Sequence, residues 1–352
     1  MPKILFTGGG TAGHVTPNMA LIEETRRRGW LCSYVGSSAG IEFEMISALD
    51  VPFHGISSGK LRRYFSWQNF IDPFFVIWGF LQSLVICLKE RPDTVFSKGG
   101  FVSVPVVAAA WLLRIPVISH ESDVTPGLAN RLTYPFCRKI CITFDETKRY
   151  LPEGKVVVAG TPVRSALLSG DADRGRNFLE FDGGKDILLV FGGSLGARVI
   201  NDQVRAVLDQ LLENFDVVHV AGVGEVDDAL HQAGYVQKEF IREEFGDVLA
   251  AASLVVSRAG ANSLYELFVM RKPHLLIPLT LAASRGDQID NATTFERLGF
   301  SRVIPEETLS NNGFLEATIR LQHDQESVRQ KLASFEVRDS VALIMDEIEQ
   351  LI

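Results

Sequence analysis

Short apolar runs rich in Val, Ile and Leu alternate with longer stretches of helical period from the first residues of the chain onward. Residues 4–7, 32–35, 94–97, 116–119, 140–143 and 156–159 predict strands. Between them, stretches such as 17–28 predict helices, with Pro17 at the start and Gly29 after the last turn. The pattern pauses after Ala159-Gly160-Thr161-Pro162, and a polar stretch over 169–176 precedes a second series at 187–191, 217–220, 254–257 and 275–278. Strands that alternate with helices in this way form parallel sheets covered on both faces. The expectation is an α/β chain of two tandem Rossmann-like domains, residues 1–162 and 163–352, facing a cleft. A last helix over 339–351 suits either domain. Open parallel sheets take ligands beyond the carboxyl ends of their strands, so the strand-end loops are the first places to search for chemistry.

The first strand runs into Gly8-Gly9-Gly10-Thr11-Ala12-Gly13-His14, which has the spacing G-x-G-x-x-G. A dinucleotide site also needs an acidic residue at the end of the second strand. Tyr34-Val35-Gly36-Ser37-Ser38 offers none before Glu42, so no nicotinamide or flavin cofactor is expected. What remains is a loop whose amides suit an anion such as a pyrophosphate, or a tight strand-to-helix turn with no ligand. Phe191-Gly192-Gly193-Ser194-Leu195-Gly196-Ala197 opens the second series with the same two readings.

Downstream, Ser257-Arg258-Ala259-Gly260 leads into Ala261-Asn262-Ser263-Leu264-Tyr265-Glu266, a strand end, glycine turn and helix start in one run. Glu266 can accept hydrogen bonds from a ribose diol, or face solvent as a helix glutamate. Arg285-Gly286-Asp287-Gln288-Ile289-Asp290-Asn291-Ala292 can bond sugar hydroxyls, or be a solvated helix start. His120-Glu121-Ser122-Asp123 closes a first-domain strand, which makes Glu121 and His14 the candidates for a general base. A base working near neutral pH favours histidine on intrinsic grounds, and glutamate only where burial raises its pKa. Asp171-Ala172-Asp173 has a metal-binding spacing but lies in the polar linker. It is expected to cap a surface helix, and no metal site or cofactor is expected.

Composition narrows the classes further. With 352 residues, 46% of them apolar, the chain exceeds what one core usually supports. The net charge of −8 hides an asymmetry: residues 1–160 carry 17 Lys and Arg against 13 Asp and Glu. A nucleic-acid partner is therefore not expected, and an anionic surface belongs to the first half. Cys32, Cys87, Cys137 and Cys141 give no disulfide framework and are expected to be structural thiols in a reducing compartment. The apolar run after Met1-Pro2-Lys3 is too short for a secretory signal. The apolar stretch 74–88, about 15 residues, is shorter than the ~20 needed to cross a bilayer.

In order and spacing, these motifs resemble the MurG family of GT-B-fold glycosyltransferases over nearly the whole chain. The resemblance rests on Gly9-Gly10-Thr11-Ala12-Gly13-His14 with Pro17, Ser97-Lys98-Gly99-Gly100-Phe101-Val102-Ser103 with Pro105, His120-Glu121, Gly160-Thr161-Pro162-Val163-Arg164, Gly192 to Ala197, Ser257 to Ala261, and Asp287-Gln288 with Asn291-Ala292. It implies inverting transfer of N-acetylglucosamine from UDP-N-acetylglucosamine to the 4-hydroxyl of undecaprenyl-pyrophosphoryl-muramoyl-pentapeptide. On the donor side it implies uracil against Ile241, ribose on Glu266, and phosphates on Ser194 and the start of the helix at Ala261, Asn262, Ser263, Leu264 and Tyr265. The sugar would lie near Gln288 and Asn291, with Arg164 helping to position the donor. The loop Thr11, Ala12, Gly13 would meet the acceptor's pyrophosphate while counting among the contacts to the donor's side, with His14 or Glu121 as base.

The resemblance further implies a peripheral enzyme on the cytoplasmic face of the bacterial cell membrane. Phe74, Phe75, Ile77, Trp78, Phe80 and Leu81 would dip into the leaflet, while Lys60, Arg62, Arg63, Lys89 and Arg91 meet anionic headgroups. One departure stands out: where the family commonly has Gln-Asn after His-Glu, this chain has Ser122-Asp123, and an ionised Asp123 cannot donate a hydrogen bond to the acceptor. Two other functions remain open at this stage. One is a different UDP-sugar enzyme of the same fold, and the other is a catalytically silent membrane-associated paralogue.

Overall fold

The computed structural model describes residues 1–59, 68–193 and 196–352, with side chains from residue 74 onward in the helix that begins at Gln68. The basic flank Lys60, Arg62 and Arg63, and the loop residue Ser194, lie outside the described residues. Contacts divide the chain into two units, Met1–Arg164 with Arg338–Ile352, and Ser165–Val337.

The first unit is built on β1 (Lys3–Thr7), β2 (Leu31–Ser37), β3 (Phe53–Ile56), β4 (Thr94–Ser97), β5 (Val117–Glu121), β6 (Lys139–Ile142) and β7 (Val156–Val158). They form one sheet in the order β3-β2-β1-β4-β5-β6-β7, and every pairing is parallel. Alternate residues of β1 feed opposite faces: Ile4 and Phe6 join one apolar cluster, Leu5 the other. The order reverses between β1 and β4, which is where a doubly wound sheet leaves a crevice at its carboxyl edge.

The second unit contains β8 (Asp186–Phe191), β9 (Phe215–Val220), β10 (Tyr235–Lys238), β11 (Leu254–Ser257), β12 (His274–Leu276) and β13 (Arg302–Val303), ordered β10-β9-β8-β11-β12-β13 and again all parallel. Its switch point falls between β8 and β11.

The contact boundary falls after Arg164, two residues beyond the expected one, and the second block ends at Val337 rather than at 352. The helix Ser340–Glu349 belongs to the first unit because its apolar face completes that unit's core. Ile344, Met345 and Ile348 are buried with Leu21 and Ile22. Ion pairs from Arg28 to Glu349 (3.0 Å) and Lys139 to Glu347 (3.2 Å) flank this contact.

The apolar stretch 74–88 lies inside the helix Gln68–Glu90. Within it, a Cβ on Gly79 would stand 2.1 Å from the Ser57 carbonyl oxygen, so only glycine fits there. Among the described residues no helix is long and apolar enough to cross a membrane. Cys87, Cys137 and Cys141 are buried and Cys32 half-buried. Burial pushes the thiols of Cys137 and Cys141 up to about 12. Asp171 caps the helix Ala172–Leu179 by accepting from the Arg174 amide at 2.8 Å.

Two histidines sit deep in the second unit. His219 bonds Tyr235 Oη (2.8 Å) and Asn201 Oδ1 (2.9 Å), and His274 lies 2.7 Å from both the Lys272 carbonyl and Ser301 Oγ. Burial pushes both down to about 4 from the ordinary 6.5. Between those values the unfolded chain binds protons that the folded unit refuses, so stability falls as pH falls. We expect the calorimetric midpoint of the second unit to drop steadily from pH 6.5 to pH 4. A midpoint constant across that window would contradict neutral burial of these rings.

Candidate active site

At the carboxyl edge of the first sheet, the loops after β1, β4 and β5 meet. The Gly9 amide donates to the Gly99 carbonyl (3.3 Å), and a Cβ on Gly100 would stand 2.3 Å from the Gly9 carbonyl oxygen. Gly99 and Gly100 have φ of +96° and +83°, which favours glycine independently of the space. The glycine loop thus has a structural reason for its composition, beyond any ligand.

Glu42 adds a second reason. It is fully buried at the start of the helix Ile41–Ser47, and its carboxylate accepts from the Gly10 amide (3.1 Å) and the Ser37 amide (2.9 Å). A Cβ on Gly9 or Gly40 would lie 2.3 Å from that carboxylate. The acid missing from the end of β2 is therefore supplied from the next helix, as a strut between two loops.

Thr11 precedes a short 3-10 turn, Ala12–His14, and is exposed with Gly13, whereas Ala12 and His14 are half-buried. His14 Nδ1 lies 3.1 Å from the Gly9 carbonyl oxygen and 3.1 Å from Thr11 Oγ1. The Thr11 hydroxyl can serve either tautomer, but when Nδ1 donates to the Gly9 carbonyl, which can only accept, the neutral ring has Nε2 as its basic nitrogen. That tautomer is the one a general base requires.

Glu121, the other base candidate, is placed differently. It ends β5, is buried, and takes four donors: the Asp123 amide (3.1 Å), the Gly127 amide (2.9 Å), Asn130 Nδ2 (2.9 Å) and Tyr134 Oη (3.1 Å). Its carboxylate organises the turn 122–127 and the helix behind it, which argues against a proton-accepting role. Asp123 is half-buried in that turn, and its carbonyl accepts from Thr147 Oγ1 (3.2 Å). Neighbouring His120 donates from Nε2 to the Gly160 carbonyl (2.7 Å). Burial, reinforced by the charge of Lys98, holds it well below 6.5 and hence neutral.

In the second unit the glycine loop after β8 is equally constrained. A Cβ on Gly192 would meet that of Ala197 at 2.3 Å, and one on Gly196 would lie 2.3 Å from the Ala221 carbonyl oxygen. The helix Ala261–Val269 starts at Gly260 beside β11. Asn262, Ser263 and Glu266 are half-buried along it, while Ala261, Leu264 and Tyr265 are buried. Leu264 and Tyr265 are thus core side chains: Tyr265 packs edge-on against Phe335 (6.0 Å), and any contribution of theirs to a phosphate is through the backbone.

Asn291 departs from its expected place in the same way. Its side chain is fully buried and donates from Nδ2 to the Ala259 carbonyl (3.1 Å), tying the helix Asp287–Arg297 to the β11 loop rather than facing a sugar. Gln288 accepts from the Leu279 amide (3.1 Å) with its Nε2 near Gly260. Packing of Phe268 on Phe295 (4.9 Å) locks the two helices together. Ile241 is half-buried in the loop after β10, and Arg164 is exposed at the boundary. Among the described residues no cluster of three His, Cys, Asp or Glu side chains is placed to hold a metal ion. Phe80 is half-buried, unlike the exposed Phe74, Phe75, Ile77, Trp78 and Leu81, and Val85 and Leu88 extend the exposed face beyond the predicted patch.

Residues 4–142 match the glycosyltransferase family 28 N-terminal domain, and residues 187–347 match its C-terminal domain. A protein of Legionella pneumophila (strain Paris), named UDP-N-acetylglucosamine–N-acetylmuramyl-(pentapeptide) pyrophosphoryl-undecaprenol N-acetylglucosamine transferase, is 51% identical over 351 residues, covering 99% of this chain and 97% of its own length. The chain belongs to the MurG family of glycosyltransferases. A protein of the same name from Geobacillus kaustophilus is 50% identical, with 98% of each chain covered. The crystal structure of Acinetobacter baumannii MurG superposes with a TM-score of 0.79 at 22% identity, covering 99% of this chain and all of that one. At that identity the likeness shows the shared fold. A UDP-GlcNAc 2-epimerase from Neisseria meningitidis bound to UDP-GlcNAc has the same fold, with a TM-score of 0.70 at 13% identity, covering 99% of this chain and all of that one.

If Glu121 is the strut of its turn, Glu121→Ala strands buried donors and destabilises the first unit by about 2–4 kcal/mol in urea unfolding. Unchanged stability with abolished turnover would return it to the base position.

Proposed function

We propose that the chain transfers N-acetylglucosamine from UDP-N-acetylglucosamine to the muramoyl 4-hydroxyl of undecaprenyl-pyrophosphoryl-muramoyl-pentapeptide, the step that completes the lipid-linked disaccharide unit of peptidoglycan. The observation that carries this reading is 51% identity over nearly the full length of a relative named for this reaction. Both glycine loops, both switch points and His14 are present to support it.

The transfer is a single displacement with inversion. The acceptor's 4-oxygen attacks the anomeric carbon, its proton passes to His14 Nε2, and the bond from the anomeric carbon to the UDP oxygen breaks with its electron pair leaving on UDP. The Gly9 carbonyl holds His14 in the tautomer that accepts at Nε2. The charge arriving on UDP is met in the second unit by the amides of the loop after β8 and of the helix start at Ala261. Glu266 takes the ribose hydroxyls and Gln288 the sugar, with Asn291 setting the position of Gln288's helix from below. The acceptor's pyrophosphate is assigned to the Thr11, Ala12, Gly13 loop of the first unit.

The enzyme docks peripherally on the cytoplasmic face of the cell membrane through the helix Gln68–Glu90. Phe74 is 72% exposed and Trp78 57%, and Phe75, Ile77 and Leu81 lie exposed beside them. An exposed apolar face of this size, ending at the exposed Lys89, suits the boundary between acyl chains and anionic headgroups.

UDP release from UDP-N-acetylglucosamine is expected only when a short-chain analogue of the muramoyl-pentapeptide lipid is added; release without it would indicate another UDP-sugar reaction. His14→Ala is expected to lower turnover at least about tenfold with donor binding retained, and unchanged turnover would remove His14 from the base position. Replacing Phe74 and Trp78 together by Ser should weaken sedimentation with anionic vesicles about tenfold while turnover of the soluble analogue holds.

A further inference from the structure

Arg258 follows β11 directly, in the run that leads into the helix Ala261–Val269, and is only 8% exposed. A buried guanidinium needs a counter-charge and acceptors for its N–H groups. Both are supplied sideways, along the carboxyl edge of the second sheet. Nη1 donates to the Ile277 carbonyl (3.1 Å), one residue beyond β12, and to the carboxylate of Glu306 in the turn after β13. β11, β12 and β13 are neighbours in the sheet, so the ion pair straps the ends of three adjacent strands. Strands lie about 4.8 Å apart, and a long side chain met by another from the far strand can cover two such steps.

The ladder beneath the strap is already closed. The Ile277 amide donates to the Ser257 carbonyl (2.9 Å), and the Ile304 amide to the Leu276 carbonyl (3.0 Å). What the ion pair adds is a hold on the loops beyond the strands, and those loops carry the helix Asp287–Arg297 from two points. On one side, Leu279 lies two residues past Ile277, with Pro278 between them restricting the backbone, and its amide donates to Gln288 Oε1 (3.1 Å). On the other, Ala259 follows Arg258, and its carbonyl accepts from Asn291 Nδ2 (3.1 Å). Both attachments of the helix are thus one or two residues from a group that Arg258 fixes.

We infer that Arg258 and Glu306 form a positioning pair for the donor sugar, acting on the reaction by fixing the place of Gln288. This inference rests on the assignment of the sugar to Gln288. Hydrogen bonds to sugar hydroxyls hold over a range of about 2.7–3.2 Å, so a helix start displaced by ~1 Å loses them. Arg258 stands in a glycine-turn motif, whereas Glu306 lies 48 residues further on and outside every motif, and the fold makes them one device.

The test uses the full chain with UDP-N-acetylglucosamine and the short-chain acceptor analogue, and reads kcat and both KM values for Glu306→Ala, Gln288→Ala and the double variant. Each single change should raise the donor KM about fivefold and leave the acceptor KM level. In the double variant the effects should not multiply: with Gln288 already truncated, loss of Glu306 should add less than about twofold. Effects that multiply overturn the inference. So does a Glu306→Ala enzyme in which kcat alone falls and both KM values stay level, the mark of a smaller folded fraction. A raised donor KM in Arg258→Lys with none in Glu306→Ala overturns it too, because the arginine then acts without its partner. If Gln288→Ala raises the donor KM and Glu306→Ala does not, the inference fails alone. If Gln288→Ala leaves the donor KM unchanged, the assignment of the sugar fails and takes the inference with it. Should Glu306→Ala not fold by circular dichroism, Glu306→Gln keeps the shape and one acceptor and carries the same cycle, with an expected rise of about threefold.

Discussion

Backbone touches backbone at the switch point of the first sheet, and the rest of the site is arranged around that contact. Where Gly9 meets Gly99 and Gly100 there is no room for a Cβ, and beneath Gly9 the carboxylate of Glu42 fills the remaining space. The loop that presents His14 is thereby pinned from two sides before any substrate arrives. Preorganisation of this kind matters for a reaction whose base and anion-binding amides must already be aimed when the acceptor binds. The same arrangement leaves the Gly9 carbonyl 3.1 Å from His14 Nδ1, so the contact that closes the loop also offers an acceptor to the ring tautomer protonated at Nδ1.

Most strands legible in the sequence are buried on both faces, and the edge strand β7 is legible because it is the apolar run Val156–Val158. Their apolar runs, as at 187–191 or 254–257, are continuous, which is what a central parallel strand requires. The ones that escaped notice are at or near the sheet edges: β3 is Phe-His-Gly-Ile, β10 ends in Gln237-Lys238, and β13 is the pair Arg302-Val303. Edge strands are short and half-solvated, so their composition resembles that of loops.

Within the site the same division holds. Glycine loops are readable because positive φ and close approach leave a compositional mark. Roles decided by partners distant in sequence are not. Glu121 looks like a base until Asn130 and Tyr134 are brought to it, and Asn291 looks like a sugar ligand until the Ala259 carbonyl appears beneath it. Leu264 and Tyr265 follow the glycine turn in sequence, yet the helix rotates their side chains into the aromatic cluster of the core. The burial of Lys98, whose Nζ donates to Ser122 Oγ, is equally hidden, because nothing local announces that a lysine after an apolar strand will be buried against the next turn.

The return of Arg338–Ile352 to the first unit sets an order of assembly. During synthesis the ribosome emits residues 1–164 first, and a continuous domain would begin to close at that stage. Here the patch of Leu21 and Ile22 remains uncovered until Ile344, Met345 and Ile348 emerge, after the whole of the second unit has been made. The first unit is thus begun before the second and finished after it. For that interval the nascent chain carries an open apolar surface beside a domain already free to fold, and its final closure reports that translation has run past both.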